Sequence, residues 1–236
     1  MLPRRDVPQA LAVIPARGGS KRIPRKNVRD MSGRPLISWA IDIALASGQF
    51  DEVVVSTDDD EIATIAESSG ASVPFRRPAS LADDHASTAS VIAHAASHMR
   101  ERGLVADLVC CLYPAAIFVT TDDLVGARQL LEAATRPYAA AVVPYPHPIQ
   151  RALQLGTEGE LTPVDPEGLA KRTQDLPARW HDAGQFYWGR ASAWLAGQPI
   201  LPNAVGYPLA VGAVVDIDTE DDWLLAERLH GARLRP

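Results

Sequence analysis

Cysteine, long apolar runs and excess positive charge are all scarce in this chain, and each scarcity removes a class of protein. Only two cysteines occur in 236 residues, the neighbours Cys110 and Cys111. Successive side chains on a strand point to opposite faces, so these two read as reduced core residues rather than a bridge, which suits a cytoplasmic protein. No histidine stands beside them at ligand spacing, and a zinc site is not expected. No apolar run approaches the ~20 residues that a bilayer span needs. Arg4-Arg5 precedes an apolar run that is short and broken at Pro15, so no export signal is expected either. Lys and Arg number 23 against 29 Asp and Glu, giving a formal charge of -6 and a pI near 5.5. Nucleic acid and anionic membrane reward a basic surface, so neither is an expected partner.

Two phosphate-binding spellings are also missing, the dinucleotide G-x-G-x-x-G and the G-x-x-x-x-G-K-[ST] loop. What stands in their place is A-V-I-P-A-R-G-G-S-K-R-I-P-R-K-N from Ala12 to Asn27. An apolar strand runs directly into a loop whose Gly18-Gly19 lets the backbone turn and approach a ligand. Between positions 17 and 34 the chain carries Arg17, Lys21, Arg22, Arg25, Lys26, Arg29 and Arg34 against the single acid Asp30. Such charge at the carboxyl end of a strand suits a polyphosphate, because open α/β sheets bind ligands there. The competing reading is a solvated basic loop.

The stretch Ile14 to Asn27 resembles the nucleotide-binding signature of the cytidylyltransferases that activate nonulosonic, sialic-type acids. That resemblance implies that the loop holds the triphosphate of CTP, through Ala16, Arg17, Gly18, Gly19, Ser20, Lys21, Lys26 and Asn27. It extends to R-P-A-S-L-A-D-D, where it implies nucleotide contacts by Arg77, Asp84 and Ser87; a surface ion pair between Arg77 and Asp84 is the alternative. The loop after the apolar strand Leu108 to Tyr113 reads Y-P-A-A. Sialic members carry glutamine where Tyr113 stands and proline where Ile117 stands. C-C-L-Y is similar to the branch that activates pseudaminic acid, and Tyr113 joins the nucleotide-pocket candidates.

With 47% hydrophobic residues the chain can bury one good core. Strands at Glu52–Thr57, Ser72–Phe75, Leu108–Tyr113 and Tyr138–Pro144 alternate with helical stretches, which predicts a doubly wound α/β sheet, and the resemblance implies that it is the mostly parallel, Rossmann-like sheet of a nucleotidyltransferase. Asp58 to Glu61 reads as a helix cap, and Thr120 as an N-cap with its acid following. His94 and His98 lie one turn apart without the glutamate of H-E-x-x-H, and read as helix-surface residues. From Pro144 the composition shifts to proline, glycine and charge. The expected organisation is one α/β domain, 1–143 with 181–236, and an inserted segment, 144–180, that is either a long lid or an arm exchanged with a second subunit. The resemblance implies that this arm builds a homodimer and completes the neighbour's site.

K-R-T-Q-D-L and W-H-D-A-G-Q-F-Y-W, from Lys171 and Trp180, gather aromatic faces and hydrogen-bonding groups of the kind a sugar pocket uses. Plain core is the competing reading for Trp180, Phe186 and Trp188. Both motifs resemble the pseudaminic acid branch, which implies sugar contacts by Arg172, Gln174, Asp175, His181, Asp182, Gln185 and Tyr187. Arg172 is the natural partner for a carboxylate. Finally, A-V-V-D-I-D-T-E-D-D from Ala213 reads as a strand, placing Asp216 and Asp218 on one face and Ile217 in the core, ahead of a helix with Trp223, Leu224 and Leu225 inward. Two carboxylates at that spacing suit Mg²⁺, which takes its other ligands from phosphates. The expected activity is transfer of CMP from CTP to a nonulosonic acid, pseudaminic acid foremost, with Arg17, Lys21, Asp216 and Asp218 catalytic. N-acetylneuraminic, legionaminic and 3-deoxy-octulosonic acids are the competing sugars, and a non-catalytic nucleotide sensor is the competing class.

Overall fold

Ala10–Pro15 forms the first strand, β1, with Leu11 to Ile14 wholly buried, as a parallel strand covered on both faces must be. The computed structural model describes residues 9–83, 86–210, 212 and 214–233. Beyond the basic loop, a short ribbon of β2 (Asp30–Met31) and β3 (Arg34–Pro35) turns through Ser32 and Gly33, both at positive φ, and hands the chain to α1 (Leu36–Ala46). That pair of conformations is what a two-residue hairpin loop asks for. Then follow β4 (Glu52–Ser56), α2 (Asp60–Ser68), α3 (Thr88–Glu101), β5 (Leu108–Leu112), α4 (Thr121–Ala133) and β6 (Tyr138–Pro144). A hairpin of β7 (Leu153–Leu155) and β8 (Leu161–Pro163) and the short α5 (Pro166–Ala170) precede the long β9 (Trp180–Arg190). The chain finishes with α6 (Ala191–Leu195), β10 (Ala204–Pro208) and α7 (Glu220–Arg233).

Six strands form one sheet in the order β10-β6-β9-β5-β1-β4, all parallel except β9, which runs antiparallel to both of its neighbours. This reversal matters for function. Leu112 pairs with Phe186 and Pro144 with Trp180, so the amino-terminal half of β9 lies at the carboxyl ends of β5 and β6. Ligand-facing residues of β9 therefore precede its core residues in sequence.

Helices cover both faces. Ile37, Ile62 and Leu124 bury with Cys110 on one face, and Ile92, Ala193 and Trp194 with Cys111 on the other, so the two cysteines alternate as a strand requires and both are reduced. A third cluster joins Ile23 of the basic loop to Ile117, Phe118, Val215, Ile217 and Trp223. The helix starts carry the expected caps. Asp59 accepts from the amides of Glu61 and Ile62, Ser87 from that of Ser90, and Thr120 and Asp123 form a reciprocal capping box.

Several expectations change. Ser72 to Phe75 is not a strand; only isolated bridges link Ser72 to Val54 and Arg76 to Thr57. Val214 to Asp218 forms no strand and joins no sheet. Its two-residue alternation survives because Val215 and Ile217 sink into the third cluster. Trp223 is buried, but Leu224 and Leu225 are 44% and 49% exposed, and Trp180 is 48% exposed while Phe186 and Trp188 are core. His94 and His98 are half-buried against Phe75 rather than on open surface.

Gly189 shows how tightly the sheet is packed. A Cβ there would lie 2.4 Å from Trp194 Nε1 and 2.5 Å from Tyr138 Cδ1. Gly189→Ala should destabilise the protein by about 1–3 kcal/mol, the usual cost of overpacking. The midpoint of urea denaturation reads this directly; an unchanged midpoint would contradict the packing described.

Candidate active site

Three chain segments meet at the carboxyl end of the parallel strands: the loop after β1, the loop after β5, and the amino-terminal half of β9. Together with Val214 to Asp218 they enclose a cleft of about 690 Å³ lined by Arg17, Ser20, Lys21, Lys26, Asn27, Tyr113, Asp182, Tyr187, Asp216 and Asp218, among others.

The basic loop is held in place from three sides. Gly18 sits so close to Asp59 that a Cβ would come within 2.6 Å of its carboxylate, and the Gly18 amide donates to Asp58 at 3.0 Å. Asn27 is buried; its amide nitrogen donates to the Arg17 carbonyl at 3.0 Å, and its own carbonyl accepts from Ile37 of α1. Arg25, at positive φ, ion-pairs with Asp59 at 2.5 Å and with Glu61. The Arg25 guanidinium holds the Asp59 carboxyl below its usual range. Farther on, Arg29 pairs with Glu220 at 2.7 Å and lies over the Trp223 ring, tying the loop's end to α7.

The carboxylates face this loop. Arg22 Nη1 lies 2.5 Å from Asp218 Oδ2, and Lys26 Nζ donates to the Ile217 carbonyl at 2.6 Å while standing 3.9 Å from Asp218 Oδ1. Partial burial lowers the Lys26 ammonium, opposed by Asp218 and Asp216. It raises the Asp216 carboxyl, and the neighbouring Asp218 charge raises it further. Ile23 and Ile217 share one small core, so the cationic loop and the acidic segment are fixed relative to each other. Such an arrangement can grip a polyanion on one side and a hard cation on the other.

The family model described as Cytidylyltransferase matches residues 11–185, from β1 through the amino-terminal half of β9. The chain belongs to the cytidylyltransferase family. It is 42% identical over 221 residues, 93% of this chain and 95% of the relative, to a pseudaminic acid cytidylyltransferase of Campylobacter jejuni. It is 33% identical, over 93% of this chain and 95% of the relative, to a CMP-N,N'-diacetyllegionaminic acid synthase of Legionella pneumophila. The solved structure of a CMP:2-keto-3-deoxy-manno-octonic acid synthetase complexed with CTP superposes with a TM-score of 0.71 at 20% identity, covering 96% of this chain and all of the other. That likeness establishes the nucleotidyltransferase fold.

Within this cytidylyltransferase the residues singled out by sequence divide into two groups. Arg17, Ser20, Lys21, Lys26, Asn27, Tyr113, Asp182, Tyr187, Asp216 and Asp218 line the cleft. Ala16, Gly18 and Gly19 shape its loop without forming that wall. Ser87 caps α3 and lines a neighbouring cavity. Arg77 is not brought to the cleft wall, and no ion pair joins it to another described residue: it is 6% exposed, its guanidinium donates to the Ser56 hydroxyl and carbonyl, and burial lowers it to about 10. Asp84 lies outside the described residues. Arg172, Gln174 and Asp175 sit on the arm, where Arg172 pairs with Asp175 at 2.7 Å rather than reaching this chain's cleft. His181 packs its ring on Tyr145, and Gln185 is buried behind the wall. Arg22, in sequence one more loop cation, pairs with Asp218; no local pattern links two residues 196 positions apart.

Proposed function

We propose that this enzyme transfers CMP from CTP to pseudaminic acid, releasing pyrophosphate. The observation that carries the reading is one cleft with Arg17, Lys21 and Lys26 on one side, Asp216 and Asp218 on a second, and the Tyr113, Asp182 and Tyr187 groups on a third. The 42% identical relative named for pseudaminic acid supports the choice of sugar.

In this reading the anomeric hydroxyl of the sugar attacks the α-phosphorus of CTP, the new P–O bond forms, and the bond to the β-phosphate oxygen breaks. The hydroxyl proton passes to solvent, and pyrophosphate departs. Arg17, Lys21 and Lys26 bind the triphosphate and offset its charge, while Asp182 and Tyr187 orient the sugar. Asp216 and Asp218 suit Mg²⁺: the two carboxylates flank the buried Ile217, and desolvation together with the Asp218 charge raises the Asp216 carboxyl, an effect that a cation would offset. When bound, the ion would neutralise triphosphate charge as a Lewis acid. Among the described residues no group of three or more histidine, cysteine or acidic side chains forms a metal cage. The test is pyrophosphate release from CTP across a panel of nonulosonic acids. Turnover confined to pseudaminic acid is expected. Comparable use of N-acetylneuraminic acid would overturn the sugar, and no turnover with any sugar would favour a nucleotide sensor.

The arm between β6 and β9 belongs to the same proposal. Leu155, Leu161 and Val164 are 70%, 61% and 66% exposed on and beside one small hairpin, far more apolar surface than an isolated arm of this size leaves to water. A second copy of the chain covers it in a two-fold dimer, and the arm brings Arg172 to the partner's cleft to meet the sugar carboxylate. Leu155→Asp combined with Leu161→Asp should yield monomers by light scattering and reduce turnover at least tenfold at dilute concentration. A fully active monomeric wild type would contradict this. No helix among the described residues is long and apolar enough to cross a membrane.

A further inference from the structure

We propose that Thr88, the first residue of α3, is a positioning residue for sugar recognition, aiming the Tyr113 hydroxyl from the wall of the cleft at the sugar's polar substituents. The inference rests on the sugar-transfer reading above and adds to it a residue that neither the loop motif nor the acidic segment contains.

A second cavity of about 480 Å³ lies beside the cleft, and Tyr113, Asp182 and Tyr187 line both. They form the partition between the two spaces. The partition is built from polar groups in a row. Thr88 Oγ1 is 2.7 Å from the Tyr113 hydroxyl, the Tyr113 and Tyr187 rings meet edge to face at 5.9 Å, and the Tyr187 hydroxyl donates to Asp182. The other carboxylate oxygen of Asp182 accepts from the Gly184 amide at 3.0 Å. Thr88 and Ala89 of α3 line the second cavity together with Ile200 and Leu201.

Counting protons shows what the row can offer. Tyr187 has one O–H, and Asp182 takes it. Tyr113 also hydrogen-bonds Tyr187, so the O–H groups of Thr88 and Tyr113 are taken up along the row, and what remains for a ligand is the acceptor lone pairs of its hydroxyl oxygens. Burial raises both phenols, so both keep their protons and the row stays neutral. Tyr113 and Thr88 are only half-buried, so a bound molecule can reach their oxygens. The basic loop supplies the cleft's cations, and neither Thr88 nor Tyr113 carries charge toward the triphosphate. A neutral, accepting row fixed between two spaces suits a ligand that brings its own hydroxyl and amide donors.

Thr88→Val keeps the shape and removes the hydroxyl; Thr88→Ser keeps the hydroxyl. With CTP saturating, Thr88→Val should raise the KM for pseudaminic acid about tenfold, the effect of one misdirected neutral hydrogen bond, while the KM for CTP stays within about twofold. Thr88→Ser should restore the sugar KM. Tyr113→Phe should match Thr88→Val, and the double variant should be no worse than either single one, because both remove the same interaction. A purely structural Thr88 would shift both substrates together, or be damaged equally by Ser and Val. An unchanged sugar KM in Thr88→Val, parallel losses for CTP, or additive effects in the double variant would each overturn the proposal. A wild type that uses no nonulosonic acid would instead overturn the reading on which it rests.

Discussion

Asp218→Asn is expected to abolish measurable turnover while the fold stays intact. The side chain stands where three features of the cleft meet: 2.5 Å from Arg22, 3.9 Å from Lys26, and next to Asp216 in sequence and space. Its backbone is held independently, because the Asp218 amide donates to Asp222 in the cap of α7 and Ile217 is buried beside it. The substitution changes one oxygen to nitrogen and removes the charge that a cation needs, so kcat should fall by roughly 10²–10³-fold or more. Steady-state kinetics with excess Mg²⁺, alongside circular dichroism, separate the two effects. Near-normal activity, or wild-type activity indifferent to chelator, would remove the metal from the account.

Asp216→Asn should lose activity too, but its stability follows a different course. The Asp216 carboxyl is raised in the folded protein by desolvation and by Asp218, so its ionised form opposes folding. That opposition is absent at low pH and develops as pH rises past the unfolded value toward the raised folded one. Without metal, the variant should therefore melt no lower than wild type at neutral pH, and the two should converge in acid.

The second large effect is expected at Lys26. Its ammonium is anchored on the Ile217 carbonyl, partly desolvated, and directed into the cleft between the loop and the carboxylates. Lys26→Met should reduce kcat/KM for CTP by roughly 10²–10³-fold, comparable to removing one preorganised donor from a developing charge. Because burial lowers the Lys26 ammonium, nucleotide affinity should decline at a lower alkaline pH than an exposed lysine would produce. Lys26→Arg, which keeps its charge throughout, should move that decline upward even if it binds less well. A pH profile of CTP binding that is identical in the wild type and in Lys26→Arg would contradict the role given to Lys26.

Much of this could be read from the sequence because the signals are local. The run Ala12 to Ile14 ends in a glycine-bearing basic loop, and the structure sets that loop at the carboxyl end of β1. Ser87, Thr120 and Asp59 cap helices because their side chains reach amides two or three residues ahead. Cys110 and Cys111 alternate because any strand does so. The acidic pair was legible for a different reason than its spacing first implied. Val214 to Asp218 is not in the sheet, and its alternation comes from Val215 and Ile217 wedged into the small core that also holds Ile23.

What stayed hidden depends on distant parts of the chain. The apolar and aromatic pattern of β9 does not disclose that it runs against its neighbours, yet that reversal brings Asp182 to the cleft and leaves Trp180 exposed. Arg77 looks like a loop cation in sequence; folding spends it on Ser56 beneath the loop. Arg172, Gln174 and Asp175 belong to a motif that reads as a sugar site, and in a single chain they stand on the arm, away from the cleft. His181 likewise packs on Tyr145, so its replacement should disturb the root of the arm rather than a direct sugar contact.

Joining CTP to pseudaminic acid in one cleft can be followed by phosphorus NMR of the purified enzyme with CTP, Mg²⁺ and the sugar. CTP signals should decay only when pseudaminic acid is present, replaced in equal amounts by pyrophosphate and a single phosphodiester. Decay without the sugar, release of inorganic phosphate instead of pyrophosphate, or a phosphodiester formed as readily with N-acetylneuraminic acid would contradict it.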